Sequence, residues 1–584
     1  MGPVRNAALA LLFEEMARLL EVRGESVFRV RAYERAAEQV AGLAEDVAAV
    51  AQRNALTRIP GIGKGLAAHI REYLATGGIA ELEALRREVP RGVLELLRVR
   101  GLGPRTARLL HDRLGVDSVD RLEQAVASGE ILAVPGIRER TRENIRRALR
   151  AYRLGQSRLP LGRALEVAAS IATALGGAPG VDRLELAGSL RRRRETVGDL
   201  DVLVASRTPA AVVDAFAALP GAATVLARGD TRASIEVAAP GTATGAVQVD
   251  LRVVEPEAFG AALQYFTGSR DHNVRLRELA RRRGLTISEY GVFEEATGRR
   301  VAGATEEEVY AAVGLPWIPP ELREHAGELE AAAAGRLPDL VTLGHLRGDL
   351  HDHTDWSDGT MPLETLVARA EARGWDYVLV SDHSRAAAIA RGLAPERVLE
   401  QVAAIRALQP RHRIRILAGT ECDILADGRM DLPDEVLRRL DVVVAAVHSR
   451  FRQPRDEMTA RIVRALAHPL VHILAHPTGR LIGTREPYDV DIEAVLAAAR
   501  AHDKAVEINA SAERLDLKDT HARRATELGV RIAISTDTHH PDDLERHPLG
   551  VATARRGWVT RAQVVNALPL DALLAWAHAG RGRG

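Results

Sequence analysis

From about residue 346 onward, short apolar runs recur at regular intervals, and this repetition restricts the fold more than any other feature of the chain. Six of the runs read VLVS, IRILAG, VVVAA, VHILA, AVEI and RIAIS, and a shorter one precedes His351. Apolar runs of this length predict strands that are buried on both faces, as in a parallel sheet covered by helices. Seven such strands separated by helical segments predict a barrel-like closure.

Nearly every predicted strand of this region ends in a side chain that can bind a metal ion. These side chains are His351 and His353 with Asp358, Asp382 with His383, Glu421, His448, His476, Glu507, and Asp537 with His539. Because active sites of β/α barrels lie at the carboxyl ends of the strands, we expect these groups to converge on one cavity. One such histidine alone is more often structural, but the repetition favours ligands. A mixed His, Asp and Glu set predicts a multinuclear Zn²⁺, Mn²⁺ or Fe²⁺ site that activates water for phosphate-ester hydrolysis.

A different pattern covers residues 156–320, where strand-like runs alternate with alanine-rich helices and predict an α/β or α+β domain. In the stretch GSLRRRRETVGDLDVL, Asp199 and Asp201 are two residues apart in one strand, so their carboxylates share a face. Asp250 lies in a second run that we expect to pair beside the first. Three converging carboxylates suit two Mg²⁺ (or Mn²⁺) ions, one activating an attacking hydroxyl and one holding a triphosphate.

The residues that precede this acidic pair distinguish a catalytic site from an ordinary exposed turn, where Asp-x-Asp pairs are common. Gly-Ser and a cluster of arginines stand before the pair, and this is the nucleotidyltransferase pattern. Its turn and hydroxyl bind phosphate, while arginine neutralises developing charge. Because the same core occurs in many enzymes of this kind, a nucleotidyltransferase acting on RNA or on a small molecule is an alternative.

The first 155 residues read as short helices separated by glycine turns, and one pattern recurs in them. Its copies are PGIGKG at 60–65, RGLGPRTARLL at 100–110 and VPGIRERTRENI at 134–145. Each copy resembles a helix-hairpin-helix, whose exposed N–H groups hold a DNA phosphate without reading sequence. The glycines that make the first two turns are Gly61, Gly63, Gly101 and Gly103, whereas the third copy has Arg138 at the second glycine position. Tandem copies predict a DNA-backbone clamp.

The stretch at 188–203 resembles the palm motif of family X DNA polymerases, and the match continues in QYFTGSRDHNVRLRELARRRGLTISEYGVF at 264–293. The resemblance implies that Asp199, Asp201 and Asp250 hold the metal ions. It also implies that Ser189 and Arg192 bind the incoming triphosphate, and that Tyr265, Phe266 and Gly268 flank the nucleotide sugar. The expected substrates are dNTPs and gapped or primer-template DNA, and the expected function is gap filling in DNA repair.

Lysine is nearly missing from the chain, and its scarcity bears on a second activity of the family. The three lysines are Lys64, Lys504 and Lys518. The lyase activity of some relatives requires a lysine amine that forms a Schiff base with an abasic sugar. Aligning the first hairpin with that pattern puts His69 at the lysine position, and histidine cannot form the imine. We therefore predict weak or absent 5′-deoxyribose-phosphate lyase activity.

The metal-binding pattern of the C-terminal region resembles the PHP (polymerase and histidinol phosphatase) domain over essentially its full length. The nine matching positions are His351, His353, Asp358, His383, Glu421, His448, His476, Asp537 and His539. The resemblance implies a distorted (β/α)7 barrel, a trinuclear site for Zn²⁺, Mn²⁺ or Fe²⁺, and 3′-to-5′ exonuclease activity. Some members add 3′-phosphatase or abasic-site endonuclease activity. Arg480 and Lys504 are predicted to contact phosphate.

These patterns together predict a multidomain α/β protein, with more than one hydrophobic core in its 584 residues. The predicted segments are a helix-hairpin-helix domain at 1–80, a second, fingers-like one at 81–155, a nucleotidyltransferase palm at 156–255, a thumb at 256–320, a linker at 321–345 and the PHP barrel at 346–576. Prolines at both ends of an alanine-rich stretch suggest the linker.

The cytoplasm is the expected compartment, and a monomer is the expected state, although the sequence does not disclose the oligomeric state. The single cysteine, Cys422, excludes an internal disulfide and is compatible with a reducing compartment. The first residues mix charged and apolar side chains as an amphipathic helix does, and no run approaches the roughly 18 uncharged apolar residues of a membrane span. A DNA-binding scaffold with an inactive site is the alternative from a different class of protein.

Overall fold

The computed structural model describes residues 2–41, 46–89, 102–156, 158–239 and 245–579, together with residues 93, 96, 97 and 99. The chain divides into two compact units, Met1–Ser157 and Arg158–Gly584. Within the described ranges, no helix is both long enough and apolar enough to cross a membrane.

The regular secondary structure of the first unit, where it is described, is helical. Its α-helices are α1 (Gly2–Arg23), α2 (Val27–Ala41), α3 (Val47–Gln52), α4 (Lys64–Thr76), α5 (Ala80–Glu88), α6 (Pro104–Leu114), α7 (Val119–Ser128) and α8 (Glu139–Gln156). Buried side chains from Leu9 to Leu149 form one hydrophobic cluster. The two helical domains that we expected at 1–80 and 81–155 therefore share a core.

Two glycine turns of this unit have the backbone form that a helix-hairpin-helix needs. Gly61 has a φ of +82°, which residues with a Cβ rarely adopt, and Gly63 is the N-cap residue of α4. Gly103 precedes α6 in the same way, with proline in the first turn of the helix. A Cβ on Gly63 or Gly103 would meet no atom within 4 Å, so both turns are open to a ligand. Gly101 lies outside the described residues.

The second unit begins with a five-stranded sheet in the order β2-β4-β7-β6-β5, in which only β4 and β7 are parallel. The strands of this part are β1 (Leu159–Pro160), β2 (Arg183–Leu186), β3 (Thr196–Val197), β4 (Asp199–Ala205), β5 (Ala222–Arg228), β6 (Arg232–Ala238) and β7 (Ala246–Val254). Its helices are α9 (Leu161–Gly176), α10 (Gly188–Arg191) and α11 (Pro209–Ala217). Leu175 of α9 and Phe216 of α11 are buried in the same cluster as the strands.

A small α+β element follows and packs beside this sheet. It contains α12 (Phe259–Thr267), α13 (Arg270–Arg281), the antiparallel strands β8 (Leu285–Ser288), β9 (Gly291–Glu294) and β10 (Arg300–Ala302), α14 (Glu306–Ala312) and α15 (Glu328–Ala333). The segment at 321–345, which we expected to be a linker, differs from that expectation because it is packed. Leu322 and Leu329 join Leu276 in one buried cluster, and Arg323 is fully buried against Glu306.

The C-terminal part is a sheet of seven parallel strands in chain order, which confirms the predicted (β/α)7 barrel. The strands are β11 (Gly348–Asp352), β12 (Tyr377–Val380), β13 (Arg415–Asp423), β14 (Val442–Ala446), β15 (Ile473–Leu474), β16 (Ala505–Asn509) and β17 (Arg531–Ser535). The helices are α16 (Leu363–Ala372), α17 (Pro395–Leu408), α18 (Asp434–Leu437), α19 (Arg455–Leu466), α20 (Ile492–Ala501), α21 (Asp519–Leu528), α22 (His547–Arg556) and α23 (Leu570–His578). A parallel bridge between Asp352 and Thr538 brings the first and last strands together.

The barrel and the five-stranded sheet share buried side chains. Leu515 and Leu549 of the barrel belong to the same hydrophobic cluster as Leu161 of α9. The approach is close because position 162 is glycine: a Cβ there would lie 2.8 Å from the Cβ of Ala512. The sheet and the barrel are therefore built around a common core within the second unit.

Candidate active sites

The three predicted carboxylates of the five-stranded sheet lie on two neighbouring strands. In the parallel pairing of β4 with β7, Asp201 stands directly opposite Asp250, and Asp199 is two residues earlier on the same face. Gln248 Nε2 donates to both oxygens of Asp250, at 3.0 and 2.9 Å, and Ser234 donates to one of them. The sheet thus brings together the carboxylates that the sequence placed in separate runs.

Charge repulsion makes this carboxylate group a candidate cation site. Burial, together with the charges of Asp199 and Asp250, raises the pKa of Asp201 to about 8. Burial and the charge of Asp250 also raise the pKa of Asp199. Oxygen ligands that repel one another suit Mg²⁺ or Mn²⁺, because a bound cation removes the repulsion.

Gly188 allows the turn that precedes α10 to approach these carboxylates. The residue has a φ of +62°, and a Cβ at this position would overlap Oδ2 of Asp201. Glycine is therefore required at position 188 for two reasons: its backbone conformation and the space that the Asp201 carboxylate occupies. The Gly-Ser pair of the sequence pattern thus places Ser189 at the start of α10, three residues before Arg192.

A pocket of about 230 Å³ lies at the junction of α10, α12 and α13. Its lining includes four predicted nucleotide-binding residues, namely Arg192, Tyr265, Phe266 and Gly268, whereas Ser189 lies outside this lining. The lining residues that were not predicted include Asn273 and Arg277. Asn273 Nδ2 donates to Tyr265 O at 2.7 Å, and a Cβ on Gly268 would overlap the Asn273 side chain. Their spacing of four residues on α13 was a signal in the sequence, since it puts both on one helix face.

The barrel brings all nine predicted ligands together at the carboxyl ends of its strands. Three sets have ligand atoms that all lie within 4.8 Å of one another: His353, Asp358, His383 and His539; His351, His353 and Asp537; and His383, Glu421 and His448. The ninth residue, His476, joins them through Nε2, which is 2.8 Å from Glu421 Oε1. The sets share His353 and His383, as neighbouring cations with common ligands would require.

Several buried polar atoms of this cluster lack a hydrogen-bond partner among the described residues, as atoms that bind cations would. Within the described chain, both ring nitrogens of His353, Nε2 of His351 and Oε2 of Glu421 are buried without a hydrogen-bond partner. Such atoms are costly unless a ligand satisfies them. Burial and the neighbouring histidines lower the pKa of His353 to about 3, which keeps its ring neutral and able to bind a cation. Imidazoles mixed with carboxylates suit Zn²⁺, Mn²⁺ or Fe²⁺.

Two acidic residues of the predicted pattern position other groups. Glu507 Oε1 is 2.7 Å from His351 Nδ1, and its Oε2 accepts from the His476 backbone N–H at 2.7 Å. Binding Nδ1 in this way orients the His351 ring and leaves its Nε2 for a cation. Asp382 instead accepts two hydrogen bonds from Thr354, at 2.8 and 2.6 Å, so its carboxylate holds the loop after β11.

The two predicted phosphate contacts of the barrel are contradicted. Arg480 donates to the backbone oxygens of Arg514 and Leu515 within the barrel, at 2.9 and 2.5 Å, and its Nη2 lies 2.8 Å from Glu195 of the sheet domain. Lys504 stands before β16 and therefore lies at the amino ends of the strands, opposite the metal ligands, where its Nζ donates to Pro469 O at 3.4 Å. A residue before a strand and a residue after it belong to opposite ends of a barrel.

Arg514, which the sequence analysis did not single out, is an arginine that lies beside the metal ligands. Its Nε lies 3.4 Å from Asp537 Oδ2, and its buried Nη1 has no hydrogen-bond partner among the described residues. Arg514 follows the end of β16, just as the ligands follow the ends of their strands. This order is the signal in the sequence that could have identified it.

Four family models match the chain, and they cover both units. They are described as helix-hairpin-helix domain at residues 4–79, SAM-like helix-hairpin-helix tandem at 93–151, DNA polymerase beta thumb at 262–324 and PHP domain at 349–511. The barrel alone is similar to shorter proteins. A probable phosphatase of Thermoanaerobacter sp. (strain X514) is 32% identical over 163 residues, 26% of this chain and 64% of that protein. One of Acetivibrio thermocellus is 30% identical over 204 residues, 33% of this chain and 78% of that protein.

The fold and the two sites define an enzyme of two parts, a nucleotidyltransferase joined to a metal-dependent phosphoesterase. The chain is 38% identical over 560 residues to the DNA polymerase/3′-5′ exonuclease PolX of Bacillus subtilis (strain 168), covering 96% of this chain and 97% of that protein. The chain belongs to the family X DNA polymerases that carry a C-terminal PHP domain.

Proposed function

We propose that the protein is a template-directed DNA polymerase that fills short gaps during repair, and that its barrel is a 3′-to-5′ exonuclease that processes the same DNA ends. The printed name of the B. subtilis relative combines these two activities, and the similarity covers both parts of the chain. The observation that carries the polymerase half is the pairing of Asp201 opposite Asp250, beside a pocket lined by Arg192, Tyr265 and Phe266.

In the proposed polymerase site, Asp199, Asp201 and Asp250 hold the cations and Arg192 binds the triphosphate. Bound Mg²⁺ or Mn²⁺ would supply the charge that activates the primer hydroxyl and neutralises the leaving pyrophosphate. Tyr265 and Phe266 pack edge to face, with ring centres 5.2 Å apart, and present a rigid wall to the nucleotide sugar. The open turns at Gly61, Gly63 and Gly103 would hold DNA phosphates, as would Gly101.

In the proposed exonuclease site, the nine barrel ligands hold three cations and Arg514 binds the phosphate of the terminal nucleotide. The cations would supply an activated water and would polarise the phosphodiester. Glu507 orients His351, and the unpartnered guanidinium nitrogen of Arg514 is available to a phosphate oxygen beside Asp537.

Primer extension on a one-nucleotide gap tests the polymerase half. We expect Asp250→Ala to slow extension by about 10²–10³-fold, since it removes a principal electrostatic group of the site. The matched control is Asp214→Ala, an exposed aspartate of the same domain whose partner is Arg228. A scaffold without a working site predicts no extension by the wild type. Extension of RNA, or transfer to a small molecule with none to gapped DNA, would support the alternative nucleotidyltransferases.

Shortening of a 3′-ended strand in Mn²⁺ without dNTPs tests the exonuclease half. We expect His351→Ala to abolish shortening while lengthening with dNTPs continues. The matched control is His468→Ala, a partly exposed histidine of the barrel paired with Asp434. Mn²⁺ should also raise the unfolding temperature of the wild type more than that of His351→Ala, because a ligand stabilises the state that binds it. If His351→Ala shortens the strand as fast as the wild type does, the assignment is wrong.

A second candidate activity for the barrel is removal of a 3′-phosphate. The similarity to proteins named as probable phosphatases favours it. A primer that ends in 3′-phosphate distinguishes exonuclease from phosphatase activity, because a phosphatase releases inorganic phosphate without shortening the strand. An abasic-site substrate tests endonuclease activity in the same assay.

The proposal also covers the oligomeric state, the cellular location and the division of the chain into regions. We propose a monomer that acts in the cytoplasm on DNA and dNTPs, with functional regions that change near residues 80, 155, 255, 320 and 345, of which the change near residue 155 also divides the two compact units. Size-exclusion chromatography with light scattering tests the monomer, and limited proteolysis tests the boundaries.

A further inference from the structure

One buried ion network joins the barrel to the pocket that we assign to the nucleotide. Arg556, at the end of α22, is only 8% exposed. Its Nε and Nη2 donate to Asp519 Oδ2 at 2.9 and 2.6 Å, so a barrel carboxylate holds it. Its Nη1 donates to Glu324 Oε1 at 3.0 Å and to the backbone oxygen of Arg192 at 2.7 Å. A single guanidinium thus spans from the barrel to the nucleotide-binding arginine.

Glu324, which accepts a hydrogen bond from Arg556, also holds the side chain of Arg192. Its Nε donates to Glu324 Oε1 at 3.0 Å, and its Nη1 donates to Thr267 O at 2.6 Å, in the wall of the pocket. Glu324 therefore lies between two guanidinium groups and fixes the side chain of Arg192, while Arg556 fixes the backbone of Arg192. Both the position and the direction of this arginine depend on groups anchored outside its own helix.

Three arginines surround Glu324: Arg192 and Arg556 donate to its Oε1, and Arg194 Nη1 lies 3.9 Å from the same oxygen. Asp519 supplies a second negative charge to this group through Arg556. Burial alone would raise the pKa of Asp519, but the charge and hydrogen bonds of Arg556 lower it. Removing the barrel carboxylate or Arg556 would leave Glu324 free to bind Arg192 in other geometries, and the guanidinium would no longer point in one direction.

We propose that Arg556 is a positioning residue for nucleotide binding, so that the PHP barrel supports the polymerase pocket directly through Arg556 and Glu324. The inference rests on the proposed function, because it takes Arg192 to bind the triphosphate. It adds that the phosphoesterase domain has a role in nucleotide affinity that is separate from hydrolysis.

Steady-state gap filling by the full-length chain tests this role through the Michaelis constant for the dNTP. Arg556→Ala should raise that constant by about tenfold, the effect of weakening one hydrogen bond to a charged group, with a smaller change in kcat. Glu324→Gln, which keeps the shape and removes the charge, should raise it in the same direction. The rate of 3′-end shortening by Arg556→Ala should equal that of the wild type.

The matched control is the preceding residue of the same helix. Arg555 also crosses the interface, with its Nε 2.7 Å from Glu321 Oε1 and its Nη1 donating to Val341 O at 3.2 Å. We expect Arg555→Ala to leave the Michaelis constant unchanged. If both variants raise it equally, the network acts only as interdomain packing and the inference is wrong. Thermal unfolding of each protein identifies a variant that fails to fold, and Arg556→Lys then replaces Arg556→Ala.

A double-variant cycle separates this inference from the proposed function. In an Arg192→Ala background, Arg556→Ala should cause no further rise in the Michaelis constant, because the positioned group is gone. An equal fold-change in both backgrounds would overturn the inference. If the wild type does not extend gapped DNA, the proposed function fails. If the wild type extends it and Arg192→Ala raises the Michaelis constant while Arg556→Ala does not, only the inference fails.

Discussion

Three side chains beside the first hairpin share the carboxylate of Glu81. His69 Nε2 lies 3.1 Å from Glu81 Oε2, Tyr33 donates its hydroxyl to the same oxygen at 3.3 Å, and Arg29 pairs with the other oxygen. His69 is the residue that we align with the lysine of lyase relatives. Its imidazole cannot form an imine, and Glu81 pairs with Arg29, whose charge would otherwise attract a 5′-phosphate.

At the scale of this residue we predict that the protein is not trapped by borohydride on DNA with a 5′-deoxyribose-phosphate end. The physical reason is the missing amine at position 69. Gel electrophoresis of the labelled DNA after reduction is the measurement, and a lysine-dependent lyase serves as the positive control. A covalent adduct of the wild type would contradict the prediction, and its loss in Lys64→Ala would assign the adduct to Lys64.

Arg514 is the second residue whose role can be isolated. We expect Arg514→Ala to raise the Michaelis constant for 3′-end shortening by about tenfold, because a charge-assisted contact to the phosphate is lost. Gap filling should not change. Arg500→Ala, which changes an exposed arginine in the last turn of α20, is the control. Shortening kinetics equal to those of the wild type would contradict the assignment.

At the scale of the element, the turn before α10 depends on one glycine. Gly188→Ala puts a Cβ into the space of Asp201 Oδ2, in a left-handed conformation that alanine disfavours. We expect the carboxylate to move, and a shift of about 1 Å in such a site costs about 100-fold in rate. Gap-filling assays measure the loss, with Gly176→Ala as a control that meets no atom within 4 Å. The barrel activity should be unaffected.

Helix α14 is tied to α10 through Glu306. Arg191 donates to its two oxygens at 2.7 and 2.8 Å, and Arg323 and Trp317 donate at 2.6 and 2.9 Å. Burial alone would raise the pKa of Glu306, but these partners lower it to about 2. The ionised carboxylate therefore stabilises the folded state at neutral pH.

This depressed pKa predicts how stability changes in acid. The contribution of Glu306 is fully present above its usual pKa of 4.5 and is lost as the pH falls toward about 2. Glu306→Gln should therefore lower the free energy of unfolding at neutral pH, and the difference from the wild type should shrink at about pH 3. Urea unfolding of both proteins at the two pH values is the measurement. A difference that does not depend on pH would refute the argument.

At the scale of the whole molecule, the barrel completes the core of the five-stranded sheet. We expect Leu549→Ala, which empties part of this shared core, to lower the free energy of unfolding by about 2–5 kcal/mol. Leu399→Ala, an exposed leucine of α17, should change it by less than about 0.5 kcal/mol. Urea unfolding followed by circular dichroism measures both. A loss for Leu549→Ala no greater than that of the control would mean that the two parts do not depend on each other.

Much of the candidate site could be predicted because its signals are local in the chain. His448 and His476 stand directly after apolar runs, and the end of a strand is visible in the sequence. Arg480 and Lys504 were misassigned for the opposite reason. Their residue type suits a phosphate, but only packing shows that one faces the sheet domain and the other lies at the far end of the barrel.

The sequence by itself determined the helices, the strands and the types of ligand, since periodicity and spacing are properties of neighbouring residues. Only the tertiary structure decided that the segment at 321–345 is part of a core and that the barrel reaches the nucleotide pocket. The contact of Arg556 with Arg192 joins residues 364 positions apart, and that of Arg480 with Glu195 joins residues 285 apart. No local pattern encodes such pairs, because they form only after the hydrophobic cores have brought the elements together.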